Sequence, residues 1–159
     1  MSYAKQLLES YPSAVNIDAD LLAPAIDALN DCAQACAADA DADLGEQNVG
    51  EMVRCIRLCL DCRDVCTATV SVASRRTEPD ANVIRLLLES CLAACKSCGD
   101  ECERHAAMHE HCRVCEEACR AASARAVRYS TQCGRPSRQN DRTLRRFCDE
   151  SQHGGSLKA

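Results

Sequence analysis

The sequence predicts an all-α protein, an up-down-up-down antiparallel four-helix bundle with a short extra helix at its N-terminus. Four long helical segments are joined by short turns, and helices joined in this way pack as antiparallel neighbours. The composition leans toward Ala, Leu, Arg and Glu, which favour helix. Only 3% of the residues are aromatic, with no Trp, whereas a sheet-rich protein normally uses more aromatic and β-branched residues.

Caps and turn signals divide the chain into one short and four long helices. Pro12 closes the first helix, and Pro24 is expected in the first turn of the second. Thr77 and Asp80 resemble a capping signal for the fourth helix, and Gly134 follows the end of the fifth. The expected ranges are about 4–10, 18–43, 47–75, 81–105 and 108–133.

We expect a main domain over residues 1–133, which ends with the last long helix, and a divergent basic tail over residues 134–159. Residues 1–119 carry 10 basic and 21 acidic groups, while residues 120–159 carry 9 basic and 3 acidic groups. We expect a solvated tail that has room for one short Arg-rich helix over about 139–150. An acidic main domain does not favour a nucleic-acid partner.

The N-terminal segment predicts the compartment. It reads MSYAKQLLESYPSAV and lacks the basic and apolar regions of a secretory signal peptide. No apolar run approaches the length that spans a bilayer, so no membrane partner is expected. The sequence therefore indicates a cytoplasmic protein whose thiols stay reduced. The odd number of Cys residues, 15, also leaves one thiol over in any all-disulfide scheme.

Cysteine spacing is the most informative feature of the sequence. On each of the four long helices, Cys residues recur at intervals of three or four. At about 100° per residue, these steps keep the side chains in one stripe that faces the interior of a bundle. Leu, Ala or Val would fill a core equally well without the redox liability of a thiol. We interpret the stripes as a metal-binding core. Its thirteen members are Cys32, Cys36, Cys55, Cys59, Cys62, Cys66, Cys91, Cys95, Cys98, Cys102, Cys112, Cys115 and Cys119.

The choice of metal follows from ligand type and charge. Sulfur ligands select Cu(I), Zn²⁺ or iron–sulfur clusters, and the clusters usually take their ligands from loops. Three four-thiolate Zn²⁺ sites would bury roughly six uncompensated negative charges, whereas Cu(I) at about one ion per thiolate cancels the charge. The sequence therefore favours storage or detoxification of many Cu(I) ions per chain. A Zn²⁺ or other soft-metal buffer is the alternative.

Three CxxC pairs leave a second alternative, a thiol–disulfide oxidoreductase. They are Cys59-Cys62, Cys95-Cys98 and Cys112-Cys115. No βαβ pattern surrounds them, and each pair lies inside a longer stripe. The chain also has no phosphate-binding loop and no nucleophile elbow. We therefore expect a metal-binding protein and not an enzyme.

A His- and Met-rich cluster is expected at one end of the bundle. We call this end of the bundle the mouth. The turns near residues 44–46 and 106–109 fall at that end, and the opposite half of the bundle is aliphatic. Imidazole and thioether both bind copper, so the cluster is expected to receive ions before the thiolates do. Asp39 and Asp43 are poor Cu(I) ligands and are expected in a polar rim or a fraying helix end. The cluster consists of His105, Met108, His109 and His111.

These segments resemble the bacterial copper storage proteins, a family of Cys-rich four-helix bundles. The resemblance is carried by CAQAC at 32–36, CIRLCLDCRDVC at 55–66, CLAACKSCGDEC at 91–102 and HAAMHEHCRVCEEAC at 105–119. It implies Cu(I) held by core thiolates, His and Met at an open mouth, and bundles that associate into homotetramers. The implied partners are copper ions and their donors or acceptors, and the missing export signal implies the cytosolic branch.

The chain departs from that family pattern near the ends of two stripes. Family members generally carry further thiols where this chain has Asp39, Asp43, Ala122 and Ala126. Cys133 is in phase with the stripe of the last helix, 14 residues after Cys119, and Cys148 lies in the tail.

Overall fold

The computed structural model describes residues 2–12 and 18–133, which form five α-helices and no strand. The predicted all-α class and the four-helix bundle with a short N-terminal helix are confirmed. Every helix boundary lies within two residues of its expected position. The helices are α1 (Tyr3–Glu9), α2 (Ala19–Leu44), α3 (Val49–Ala73), α4 (Ala81–His105) and α5 (Glu110–Cys133).

Aspartate side chains cap two of the long helices. The Asp18 carboxylate accepts hydrogen bonds from the backbone at the start of α2, and the Asp80 carboxylate does the same for α4. Such caps satisfy backbone N–H groups that have no partner within the helix. Because the Asp18 cap starts α2 at Ala19, Pro24 lies beyond the first turn, and the expectation of a first-turn proline was wrong.

Helices α2 to α5 form a closed ring in which each helix packs against the one before and the one after it. α4 and α5 come close at Gly99, where a Cβ atom would lie 3.3 Å from the Cβ of Cys119. The guanidinium of Arg120 crosses this contact and binds Asp100 at 2.9 Å and Glu103 at 3.1 Å. Because Gly99 has no side chain, the thiol-bearing faces of α4 and α5 can approach closely.

The interior of the bundle has two parts along its axis. One part contains the cysteines, and the other is the aliphatic half expected from the sequence, which α1 covers through Ala4 and Leu8. Ala122 is fully buried and continues the α5 stripe toward the aliphatic half. The buried members of the aliphatic half are Leu22, Ala25, Ile26, Ala73, Ile84, Leu88, Ala126 and Tyr129.

Within the two described ranges, no helix combines the length and the apolar character needed to cross a membrane. The basic tail over residues 134–159, including the expected short helix over 139–150, lies outside the described residues.

The reduced protein is expected to be strongly helical without metal, because neutral thiols pack as small hydrophobes and the aliphatic half is complete. Circular dichroism of the anaerobic protein with a chelator tests this expectation. Leu22→Ala should lower the free energy of unfolding by about 2–5 kcal/mol, since it removes a fully buried side chain from the aliphatic half. A chain that is unfolded until metal is added, as a zinc finger is, would contradict the account.

Candidate metal centre

The thirteen cysteines of the four stripes converge on the bundle axis, and we call them the thiol core. Each is at most 1% exposed, and all thirteen are unpaired thiols. Neighbouring Sγ atoms lie 3.5–4.0 Å apart, both along one helix and between helices. The shortest separations are 3.5 Å, between Cys66 and Cys91 and between Cys59 and Cys98.

Sulfur atoms of the thiol core form overlapping groups of four. Within each group, all four atoms lie within 4.8 Å of one another. Because Cys32 and Cys36 each belong to two groups, a metal ion held by one group shares ligands with the next. Such sharing suits bridging thiolates and a polynuclear array of soft ions. The groups include Cys32–Cys62–Cys66–Cys95, Cys32–Cys36–Cys62–Cys119, Cys36–Cys98–Cys115–Cys119 and Cys59–Cys98–Cys102–Cys115.

The thiols of this core titrate as a coupled set. Contact with Cys115 raises the pKa of Cys102, while contact with Cys102 lowers the pKa of Cys115. Burial adds to the raised pKa of Cys102 and opposes the lowered pKa of Cys115, because the thiolate is the form that loses solvation. Deprotonation of one thiol therefore changes the cost of deprotonating its neighbours.

Asp39 and Asp43 belong to the interior of the core, so their assignment to a polar rim or a fraying helix end was wrong. Their exposed fractions are 2% and 0%, because α2 continues as a regular helix to Leu44 and both lie in phase with Cys36. The thiol of Cys59 donates to Asp39 Oδ2 at 3.1 Å, and the thiol of Cys102 donates to the same oxygen at 3.4 Å. A carboxylate therefore contacts the thiol core directly.

Burial controls the protonation of both carboxyl groups. It raises the pKa of Asp39, although the hydrogen bond from His111 opposes this shift. Burial, followed by the charges of Cys55 and Asp39, raises the pKa of Asp43 to about 7. Among the described residues, Asp43 Oδ2 is a buried oxygen without a hydrogen-bond partner. Asp43 therefore approaches its protonated form near neutral pH.

His111 links the thiol core to the surface of the mouth. Its Nδ1 lies 2.7 Å from Asp39 Oδ1, and its Nε2 lies 3.1 Å from Glu46 Oε1. Both ring nitrogens face carboxylates, and only the imidazolium donates from both. Burial opposes this charge, but Asp39 and Glu46 outweigh it and raise the pKa of His111. The ring also lies against Cys112, with Nδ1 3.5 Å from its Sγ.

Glu46 joins the two turns of the mouth. It lies in the turn between α2 and α3, and its Oε1 is 2.9 Å from Nδ1 of His109, which precedes α5. Hydrogen bonds from His111 and His109 lower the pKa of Glu46. The two turns therefore meet at one end of the bundle, as expected.

The remaining members of the predicted mouth cluster lie at different depths. The side chain of His105 is 16% exposed, and its Nε2 lies 3.6 Å from Glu101 Oε1. The ring centroid of His109 is 6.4 Å from that of His105 and 5.4 Å from that of His111. The structure thus places the three imidazoles as a chain of neighbouring rings that ends at Cys112, and each ring is partly exposed. Met108 is 73% exposed.

Two features of the centre were missed by sequence reasoning. Met52 is fully buried in the thiol core, and its position three residues before Cys55 continues the α3 stripe, so the spacing rule would have found it. The bridging role of Glu46 has no such signal, because it depends on a contact between distant turns. The side chain of Cys133 and the whole of Cys148 lie outside the described residues.

The fold and the site together define a class of protein: a preformed helical bundle whose interior is a closely spaced array of soft thiol ligands. The chain belongs to the copper storage protein family, whose sequence model matches residues 18–132.

The chain is also similar to solved structures and to a curated protein. A copper storage protein, Ccsp, from Streptomyces lividans, loaded with 10 copper equivalents, is 50% identical, with a TM-score of 0.76. The match covers 78% of this chain and 95% of that chain. A cytosolic copper storage protein from the same organism, with five coppers, is 53% identical over 68% of this chain and 90% of that chain, with a TM-score of 0.67. The uncharacterized cysteine-rich protein YhjQ of Bacillus subtilis is 32% identical over 93 residues, covering 58% of this chain and 81% of that protein.

Asp43→Asn is expected to stabilise the metal-free protein increasingly as pH rises. The pKa of Asp43 in the folded protein, about 7, exceeds the ordinary value of 3.8. Ionisation of this carboxyl therefore does not change the free energy of unfolding below pH 3.8, and it lowers that free energy progressively between pH 3.8 and about pH 7. A neutral amide removes this penalty. Urea unfolding of both proteins at pH 5 and pH 8 measures the difference. Asp41→Asn, an exposed change on the same helix, is the control. Equal stabilisation by Asp43→Asn at both pH values would contradict the assignment.

Proposed function

We propose that this chain stores Cu(I) at high capacity, with the thirteen thiols of the core as its ligands. The observation that carries the proposal is the interlocking arrangement of fully buried sulfur atoms 3.5–4.0 Å apart. Soft thiolates select Cu(I), and shared ligands suit a polynuclear cluster better than separate mononuclear sites. Membership of the copper storage protein family supports the same function.

Charge balance favours Cu(I) over Zn²⁺ for filling this interior. Each Cu(I) ion that replaces a thiol proton leaves the net charge of the core unchanged. A Zn²⁺ ion with four thiolates leaves two negative charges behind, and burying several such sites in a dry interior is costly. Filling the whole core therefore favours a monovalent ion at about one per thiolate.

The mouth is proposed as the entrance for Cu(I). His105, His109 and His111 offer a chain of neighbouring, partly exposed imidazole ligands that ends at Cys112, and the exposed thioether of Met108 is available to an arriving donor. Imidazole and thioether both bind copper, so an incoming ion exchanges ligands without being released. Glu46 and Asp39 hold the His111 ring in the mouth by hydrogen bonds, and these hydrogen bonds must break when the ring binds an ion.

We propose that this protein does not act as an enzyme. All six cysteines of the three CxxC pairs are at most 1% exposed, which denies a partner protein the access that disulfide exchange requires. In this account residues 1–133 form the storage domain, and residues 134–159 form a basic tail. We also propose a cytosolic homotetramer that exchanges copper ions with cellular donors and acceptors, as the family resemblance implies.

Anaerobic titration of the reduced protein should reach saturation at roughly ten Cu(I) ions per chain, following the argument of about one ion per thiolate. Zn²⁺ should saturate near three ions, because each tetrahedral site uses four ligands. Metal analysis after removal of weakly bound ions gives both values. Saturation at one or two copper ions would refute storage.

The mouth residues should control the rate of loading and the deeper thiols the capacity. Replacing His105, Met108, His109 and His111 together by Ala should slow transfer of Cu(I) from a competing chelator, with the final copper content near wild type. Replacing Cys62 and Cys98 by Ser should lower the content and leave the initial rate similar. Stopped-flow absorbance followed by metal analysis separates the two effects. Wild-type loading by the mouth variant would show that the cluster is only a polar turn.

A further inference from the structure

Asp39 places one oxygen among three thiols at the mouth end of the core. Its Oδ2 lies 3.1 Å from Sγ of Cys59, 3.4 Å from Sγ of Cys102 and 3.9 Å from Sγ of Cys55. Sγ of Cys102 is in turn 3.7 Å from that of Cys55 and 3.8 Å from that of Cys59. All four side chains are at most 2% exposed. The four ligand atoms therefore form a closed, compact tetrahedron.

Five edges of this tetrahedron are close in length to those of a zinc site. Zn–S bonds of about 2.3 Å and Zn–O bonds of about 2.0–2.2 Å give tetrahedral edges of about 3.8 Å between sulfurs and about 3.6 Å between sulfur and oxygen. The two sulfur–sulfur edges of Cys102 agree with the first value, and the three edges at Asp39 Oδ2 straddle the second. A small tetrahedral ion can thus be held with little rearrangement.

The ligand chemistry separates this position from the remainder of the core. A carboxylate is a hard ligand that suits divalent ions and serves Cu(I) poorly, so a direct bond to stored Cu(I) does not explain the Asp39 oxygen among the thiols. The other oxygen of Asp39 accepts a hydrogen bond from Nδ1 of His111 at 2.7 Å. A ligand whose second polar atom is fixed by a neighbour is oriented for binding, as is common at metal sites in proteins.

His111 also favours this position electrostatically over the four-thiol groups deeper in the core. Three thiolates and a carboxylate leave a divalent ion with two excess negative charges, the same excess as four thiolates. Unlike the four-thiol groups named above, the group that contains Asp39 has an imidazole in contact with one of its ligand atoms, and that imidazole lies between two carboxylates. A single divalent ion is therefore held best at the mouth.

We propose that Asp39, Cys55, Cys59 and Cys102 form a binding site for one tetrahedral divalent cation of the Zn²⁺ class, in addition to the Cu(I) storage core. Binding releases the three thiol protons to solvent and leaves the deeper thiols free. The site shares Cys55, Cys59 and Cys102 with the core, so the bound ion and Cu(I) compete for the mouth end.

The test is anaerobic titration of the full-length, reduced protein with Zn²⁺ against a chromophoric chelator. The first equivalent should bind about tenfold or more tightly than later ones, and Asp39→Ala should weaken it by about tenfold or more. Asp39→Asn, which keeps the side-chain size, should also weaken it and serves if the alanine variant fails to fold. One equivalent of Co²⁺, added as a spectroscopic probe, should give the visible bands of a tetrahedral site in the wild type, and these bands should be weaker in the Asp39 variants at the same concentration.

Two controls isolate the site from the core. Asp41→Ala changes an exposed carboxylate on the same helix, and Cys95→Ser removes a thiol from outside the proposed group. Both should keep the first Zn²⁺ affinity. The Cu(I) capacity of Asp39→Ala, measured separately, should stay near wild type, so this test does not depend on copper storage. The proposal is overturned if both Asp39 variants retain the first affinity, or if the wild type binds several Zn²⁺ ions equally.

Discussion

The structure depends on keeping a crowded, dry interior electrically neutral. Thirteen thiols lie on the axis of one bundle, and ionised sulfur in such surroundings loses solvation without compensation. A proton on sulfur and a Cu(I) ion on sulfur carry the same charge, so one replaces the other without a change in the charge of the core. The protein with protonated thiols can therefore fold first, and the folded bundle can bind ions afterwards.

The two halves of the bundle contribute differently to the stability of the fold and to metal binding. Leu22, Ile26 and Leu88, covered by α1, form an aliphatic half that needs no metal, so the thiol half need not carry the stability of the fold. The mouth departs from the neutrality of the core: Asp39, Asp43 and Glu46 surround the imidazole of His111. Charge is thus concentrated at the proposed entrance for ions, and the same carboxylates support the proposal that a harder ion binds at that end.

Much of this could be predicted, because a stripe of side chains at intervals of three and four has one geometric solution in a helical bundle. That rule located the thiol core and the common end of the two turns. Applied more strictly, it would also have located Met52, and it would have placed Asp39 and Asp43 inside the core despite their polarity. The contact of Glu46 with His109 and His111 and the exposure of Met108 depend on how two turns fold against each other, which periodicity does not encode.

Proton release during copper loading tests the neutrality of the core most directly. Cu(I) is added anaerobically to the reduced protein in weak buffer, and the base needed to hold the pH constant is measured. At saturation, the account predicts a total of about one proton released per Cu(I) bound, because each ion takes the place of one thiol proton. Release of two or more protons per ion at saturation would mean that the filled core accumulates negative charge. Release of none would mean that the thiols are ionised before copper arrives, and either result would contradict the account.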